Sequence, residues 1–443
     1  MKAHLKLGLR EGVPEIAAPH WTKATQMSAG LPASLHPRID AVFAEHRCPF
    51  LVTREYEPAG TRWDAHEREL GFDRAYRVIP RERPDFPAGL LEALARLWEV
   101  ASVTHGVFAA AALPVPAMQL SVGTDERSRE AIGLSQAHAL TRGSPEIKVA
   151  VLDTGIDLDH PELVDCLLPG YDFVDIIDGA GRFVGDFLGY DEEPDDEVGH
   201  GTHVAGIIAA AGKAMPAGVA PRCKIIPVRV LGALARGARR VGAGLVDNIN
   251  AGIKWAIDHG ADVINMSLGI PHAGGGLPHE EMVEYARRRD VTNVAASGND
   301  GAHSLYYPGA LPHVIAVGAV DHQGQVASFS TYGEQVDVAA PGTEIYSTSI
   351  EGGYAYSTGT SHAAPFVAGA AALLKAYALD VADVRLSDRQ IKYLLKHTAD
   401  RPARRLRDDK TGFGRLNLAD ALQLLEFKLE PRALATKTVM GTP

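Results

Sequence analysis

Cysteine is almost absent from this chain. Only three occur in 443 residues, Cys48, Cys166 and Cys223, and they are far apart and odd in number. That excludes a disulfide framework, and no C-x-x-C spacing offers a metal cradle. Excess positive charge is missing as well. Lys and Arg total 44 against 55 Asp and Glu, a formal net charge of -11, so nothing remains to neutralise phosphates and no nucleic-acid partner is expected. Arg236, Arg239 and Arg240 form only a local basic cluster. No segment approaches the roughly 20 apolar residues of a membrane span. The first residues carry no apolar stretch of the kind that forms a signal-peptide core. The expectation is a protein with no membrane partner that stays in the cytoplasm.

What is present is ample core material, 46% hydrophobic residues with 22% charged. Residues 1–47 show no clear periodicity and read as an irregular lead. Residues 48–111 read as a small α+β domain. CPFLVTREYEP, DRAYRVIP and VASVTHGVFAAA are strand-like, and GTRWDAHERELGF and PAGLLEALARLWEV are helical in spacing. Prolines, small residues and charges mark 112–125 as a linker. From 126 to 426 the pattern becomes long α/β alternation. IKVAVLD, KIIPVRVL, DVINMSL, VTNVAAS and HVIAVGAV are apolar and β-branched enough to be buried on both faces. This predicts an α/β fold, a doubly wound, mainly parallel sheet with its site at the carboxyl ends of the strands. Residues 427–443 read as a C-terminal tail.

Four polar residues punctuate that alternation. Asp153 ends the run IKVAVLD, where an ionised carboxylate is costly unless it has partners. His200 opens HGTHVAGIIAAAG, and the H-E-x-x-H pattern of a metal helix is absent there. Ser361 opens a helix of small residues in GTSHAAPFVAGAAALL, a place that suits a plain N-cap. It equally suits a nucleophile, since backbone N–H groups there favour a developing oxyanion. Asn299, in AASGNDG after a strand, reads alone as a turn residue.

Taken together, the blocks VAVLDTGID (149–157), HGTHVAG (200–206), VINMSLG (263–269), AASGNDG (295–301), YPGALPHVIAVGAV (307–320) and GTSHAAPFVAGAAALL (359–374) closely resemble the subtilisin family. They run in the family's Asp, His, Ser order, for which subtilisin itself is the standard illustration. The resemblance implies a serine endopeptidase acting on protein or peptide substrates. Ser361 would be the nucleophile, His200 its base, Asp153 the orienting carboxylate and Asn299 an oxyanion donor. It places Ser267, Leu268 and Gly269 on one wall of the substrate cleft and Gly242, Ala243 and Gly244 on the other. Tyr306 falls at the base of the first specificity pocket. Residues 48–111 resemble the family prodomain in element order, which implies an intramolecular inhibitor. Two rival readings are a serine-carboxyl peptidase, which needs carboxylates where His200 stands, and a catalytically dead binding protein, against which the complete set of residues argues.

This chain departs from the family pattern in three places. The Arg-bearing insertion ALARGARR (233–240) precedes Gly242. His362 follows Ser361 where the family usually has Met. The loop AGKAMPAG (211–218) lacks the Asn that helps bind the family's structural calcium. No cofactor is required for the chemistry. The acidic run around Asp186, Asp191, Asp195, Asp196 and Glu197, where carboxylates are dense, reads either as a structural calcium site or as a solvated acidic loop.

Overall fold

The computed structural model describes residues 4–26, 30–82, 84–106, 108–110, 117–119, 125–175, 183–237, 239–271, 277–401 and 406–440. The apolar runs form a seven-stranded sheet. Its order is Val336–Pro341, Val314–Val320, Thr292–Ala296, Val263–Met266, Lys148–Asp153, Lys224–Arg229, Tyr171–Asp172. Every neighbouring pair is parallel. Side chains alternate between two cores, as the pleat requires. Val149 and Val151 face the helices His200–Ala209 and Thr360–Ala382, while Ala150 and Leu152 face Val246–Asp258 and Glu280–Arg288. Helices on both faces explain why these strands carry no polar alternation. The expected doubly wound α/β fold is borne out.

Helix Thr360–Ala382 crosses the middle of one core. Its small residues allow close approach: a Cβ at Gly369 would stand 2.6 Å from the Cβ of Val219. By length and apolarity this helix passes for a membrane span, yet 83% of its most apolar window is buried inside the protein.

The N-terminal region differs from expectation in extent. The described residues among 1–47 are not an irregular lead. Leu5–Leu9 is an inner strand of an antiparallel sheet ordered Phe50–Arg54, Ala75–Pro80, Leu5–Leu9, Val100–His105. Helices Pro37–Glu45 and Leu90–Ala95 cover it. Leu5, Leu7 and Leu9 are buried in its core, each contributing about 2 kcal/mol by removal from water. The run 100–111 is not one strand. Val100–His105 stays in this sheet, and Phe108–Ala110 pairs instead with Ala243–Leu245 of the large domain. Within the expected linker 112–125, Ala117–Gln119 is a strand paired with Tyr354–Tyr356, while 111–116 and 120–124 lie outside the described residues. Nor do residues 427–440 form a simple tail, because helix Leu418–Met440 runs through them, and 441–443 lie outside the described residues.

Candidate active site

Asp153 is the last residue of the strand Lys148–Asp153, at the sheet's carboxyl edge. Next along the sheet edge, Ser267 follows Val263–Met266 directly and Asn299 follows Thr292–Ala296 by three residues. His200 and Ser361 stand in the first turns of the two helices that cover this face. The parallel topology therefore delivers all five to one edge.

The Asp153 Oδ1 atom accepts from the His200 Nδ1–H at 2.7 Å and from the Thr154 N–H at 2.8 Å. Both side chains are buried. A carboxylate accepting at Nδ1 fixes the tautomer and leaves a lone pair on Nε2. That Nε2 is buried and has no hydrogen-bond partner among the described residues. The loop before His200 is tied by Asp196. Its Oδ1 accepts from Thr154 Oγ1 at 2.8 Å and from the N–H groups of Val198 and Gly199, each at 2.9 Å. Its Oδ2 accepts from the Thr202 N–H at 2.9 Å and hydroxyl at 2.7 Å. Burial pushes the Asp196 carboxyl up from its ordinary range against these bonds. Gly201 is compelled here by space: a Cβ would stand 2.1 Å from the carbonyl oxygen of Gly155.

Asn299 is oriented from the helix that carries Ser361. Its Oδ1 accepts from the Thr360 N–H at 2.8 Å and from the Thr360 hydroxyl at 2.9 Å. The carboxamide is thereby turned so that Nδ2 is left to donate elsewhere. The Ser361 carbonyl accepts from Ser267 Oγ at 2.7 Å, and Ser267 Oγ in turn accepts from Asn265 Nδ2 at 2.9 Å. His362 is fully buried, 2.6 Å from Ser357 Oγ through Nε2. Its ring packs 5.3 Å from His200 and 4.5 Å from His203. Burial pulls His203 down to about 3, and its Nε2 donates toward the carbonyls of Ile345 and Ala355 at 3.0 and 3.1 Å. His203 is therefore a neutral packed residue.

A model of the subtilase family matches residues 144–414. The chain belongs to the subtilase family. Among curated relatives, the thermophilic serine proteinase of Bacillus sp. (strain AK1) is 42% identical over 264 residues, 59% of this chain and 58% of that protein. Subtilisin BL of Lederbergia lenta is 42% identical over 254 residues, 57% of this chain and 83% of that protein. Thermitase of Thermoactinomyces vulgaris is 38% identical over 60% of this chain and 85% of its own length. Among solved structures, a protease from Pseudoalteromonas arctica superposes with a TM-score of 0.58 at 32% identity, covering 69% of this chain and 100% of that one. The prenylagaramide maturation protease PagA gives 0.54 at 30% identity, covering 66% of this chain and 98% of that one.

In this subtilase the two segments expected to wall a cleft are distinct. Ser267, Leu268 and Gly269 lead out of the central sheet, with Ser267 and Leu268 buried. Gly242, Ala243 and Gly244 lie on the strand Arg239–Leu245, which forms a hairpin with Gly232–Arg236; the Arg-bearing insertion is this hairpin. Its free edge carries the chain's own Phe108–Ala110, with Ala110 opposite Ala243, Ala109 opposite Gly244 and Phe108 opposite Leu245. Tyr306 pairs with Pro271, and its ring lies where a Cβ on Gly298 would meet it at 2.6 Å. Tyr307, not Tyr306, is the residue sunk in the core.

Sequence reasoning missed three features: Thr360, which orients Asn299; Asp196, read only as part of an acidic run; and the pairing of Phe108–Ala110 along Ala243–Leu245. Asp196 had one readable signal, an Asp placed before a helix start with Thr202 two residues inside it.

Proposed function

We propose that this subtilase is a serine endopeptidase held in check by its own N-terminal domain. The observation that carries the reading is the 2.7 Å His200–Asp153 bond, with the opposite imidazole nitrogen left without a partner among the described residues. Ser361 Oγ attacks the substrate carbonyl carbon while His200 Nε2 takes its proton. Asp153 holds the imidazolium so formed. Negative charge on the carbonyl oxygen is met by Asn299 Nδ2 and the Ser361 N–H. Collapse of the tetrahedral species breaks the C–N bond, and His200 returns the proton to the leaving amine. Water then repeats the sequence on the acyl-enzyme. Substrate main chain pairs with Gly242–Gly244 and Ser267–Gly269, so recognition is broad, with Tyr306 limiting the size of the side chain at the cleaved position.

The inhibitory role rests on where the chain runs. Phe108–Ala110 already occupies the free edge that substrate would use. The N-terminal domain itself is fastened to helices Val246–Asp258 and Glu280–Arg288 through buried and half-buried polar contacts. Arg77, held inside its own domain by both Glu55 oxygens at 2.6 and 2.9 Å, donates across to Asn248 Oδ1 at 3.0 Å. Lys254 donates to Glu67 at 2.6 Å, His4 to Asp247 at 2.8 Å, and Tyr56 to Glu281 at 2.5 Å. Release of the domain breaks these cross-domain contacts together and exchanges each for contacts with water. Incubation followed by intact-mass analysis tests this. The wild-type chain should shorten itself by roughly 110–125 residues while Ser361→Ala stays whole. Full specific activity in the intact 443-residue chain would end the inhibitor reading.

A further inference from the structure

Calcium is the ion that the family resemblance implies for the loop 211–218, and a calcium site requires roughly six to eight free oxygen ligands. The side chains around this loop do not fit that requirement. Glu162 is buried, and its carboxylate is consumed by the loop's own backbone. Oε2 accepts from the N–H groups of Gly212 at 2.7 Å and Lys213 at 2.9 Å, and Oε1 accepts from the Ala214 N–H. The Glu162 carbonyl takes the Ala211 N–H at 3.0 Å. On the other side of the loop stands Arg129, also buried. Its Nε donates to the Ala217 carbonyl at 2.8 Å and its Nη1 to the Tyr346 carbonyl at 3.4 Å. Nη2 is a further buried donor with no partner among the described residues. Burial pulls the guanidinium down to about 10, so at neutral pH it remains a cation. Met215 completes the anchorage by packing with Tyr346. A place crowded with N–H donors and already holding a fixed positive charge repels a divalent ion.

The acidic run that offers the other expected place is organised in the same manner. Buried Arg229 pairs with Asp172 at 2.7 Å and Glu197 at 3.1 Å, and its Nη2 donates to the Asp186 carbonyl. Asp196, as described, is consumed by the helix start. Asp191 Oδ1 accepts the Glu193 N–H at 2.8 Å. Among the described residues, no group of three His, Cys, Asp or Glu side chains is placed to hold a metal ion.

We propose that this subtilase has replaced structural calcium by built-in cations, with Arg129 and the Glu162 carboxylate together holding the loop 211–218 and Arg229 holding the acidic segment. Neither place takes up calcium. Because Arg129 precedes the whole sheet, the loop stays anchored only if self-processing cuts before residue 129.

Thermal unfolding of the full-length Ser361→Ala chain, which cannot digest itself, tests this. Midpoints in about 5 mM EDTA and about 5 mM calcium chloride should agree within about 1 °C. A midpoint lowered by about 5 °C in EDTA and restored by calcium overturns the proposal. Arg129→Met should lower the midpoint by at least about 3 °C in either solution, and an unchanged midpoint also overturns it. If Arg129→Met yields no folded protein, Arg129→Lys is read instead. Lysine keeps the charge but lacks the fork that reaches two carbonyls, so a drop of about 2 °C supports the proposal and no drop refutes it.

Discussion

Thr360→Val isolates how the oxyanion donor is aimed. The substitution conserves shape in a fully buried position and leaves the backbone N–H bond of 2.8 Å to Asn299 Oδ1 intact. It deletes the hydroxyl that donates to the same oxygen at 2.9 Å and to the Gly298 carbonyl at 3.1 Å, and that accepts the Gly298 N–H at 3.3 Å. One of the two bonds that orient the carboxamide is therefore lost. A neutral hydrogen bond has a net worth of about 1 kcal/mol, so aiming Nδ2 should weaken by a similar amount. Only the transition state carries the oxyanion, so the loss belongs in kcat, which should fall roughly 5- to 10-fold with KM unchanged within about twofold. Steady-state kinetics on a chromogenic peptide with the processed enzyme measures both. An unchanged kcat, or a rise in KM alone, refutes the claim that Thr360 positions Asn299.

Three further outcomes follow from single contacts. Gly201→Ala puts a Cβ 2.1 Å from the Gly155 carbonyl and 3.0 Å from Asp153 Cβ, driving His200 from its carboxylate by about 1 Å, so kcat/KM should fall about 100-fold; a loss below threefold contradicts this. His203 is neutral when folded, at about 3 against 6.5 when unfolded, so the unfolded chain binds the extra proton between those values. Its stabilisation is present above pH 6.5 and lost as pH falls, so the unfolding free energies of Ser361→Ala with and without His203→Gln, read from urea titrations, should draw together by up to about 1.4 kcal/mol per pH unit below that point. A constant difference from pH 7.5 to about 5 is inconsistent with a neutral buried His203. Tyr306 should disfavour Phe relative to Ala or Leu at the cleaved position by about 1–3 kcal/mol, a preference that Tyr306→Gly relieves; a clear preference for Phe that this change leaves untouched counts against a filled pocket.

The central sheet was readable because its strands are buried on both faces, and that burial demands uninterrupted apolar runs such as IKVAVLD. The site residues were readable because each stands beside such a run or at a helix start. Leu5–Leu9 escaped notice although Leu5, Leu7 and Leu9 alternate. Five residues are short, and their place inside a sheet comes from pairing with Ala75–Val78 and Val100–His105, which local pattern does not encode. Phe108–Ala110 escaped for the same reason. Its run is continuous with Val100–His105 in character, and only the large domain's free edge draws it away. The acidic run invited a calcium because sequence shows its carboxylates together but not the buried Arg229 that meets them.

Covalent labelling tests the central claim most directly. After self-processing, a fluorophosphonate should add once per chain, and tandem mass spectrometry should place it on Ser361. Reaction requires the nucleophile and its base together, so Ser361→Ala and His200→Ala should both remain unlabelled. Absence of labelling in the processed wild-type chain, or a label on any other residue, contradicts the assignment of Ser361, His200 and Asp153 to catalysis.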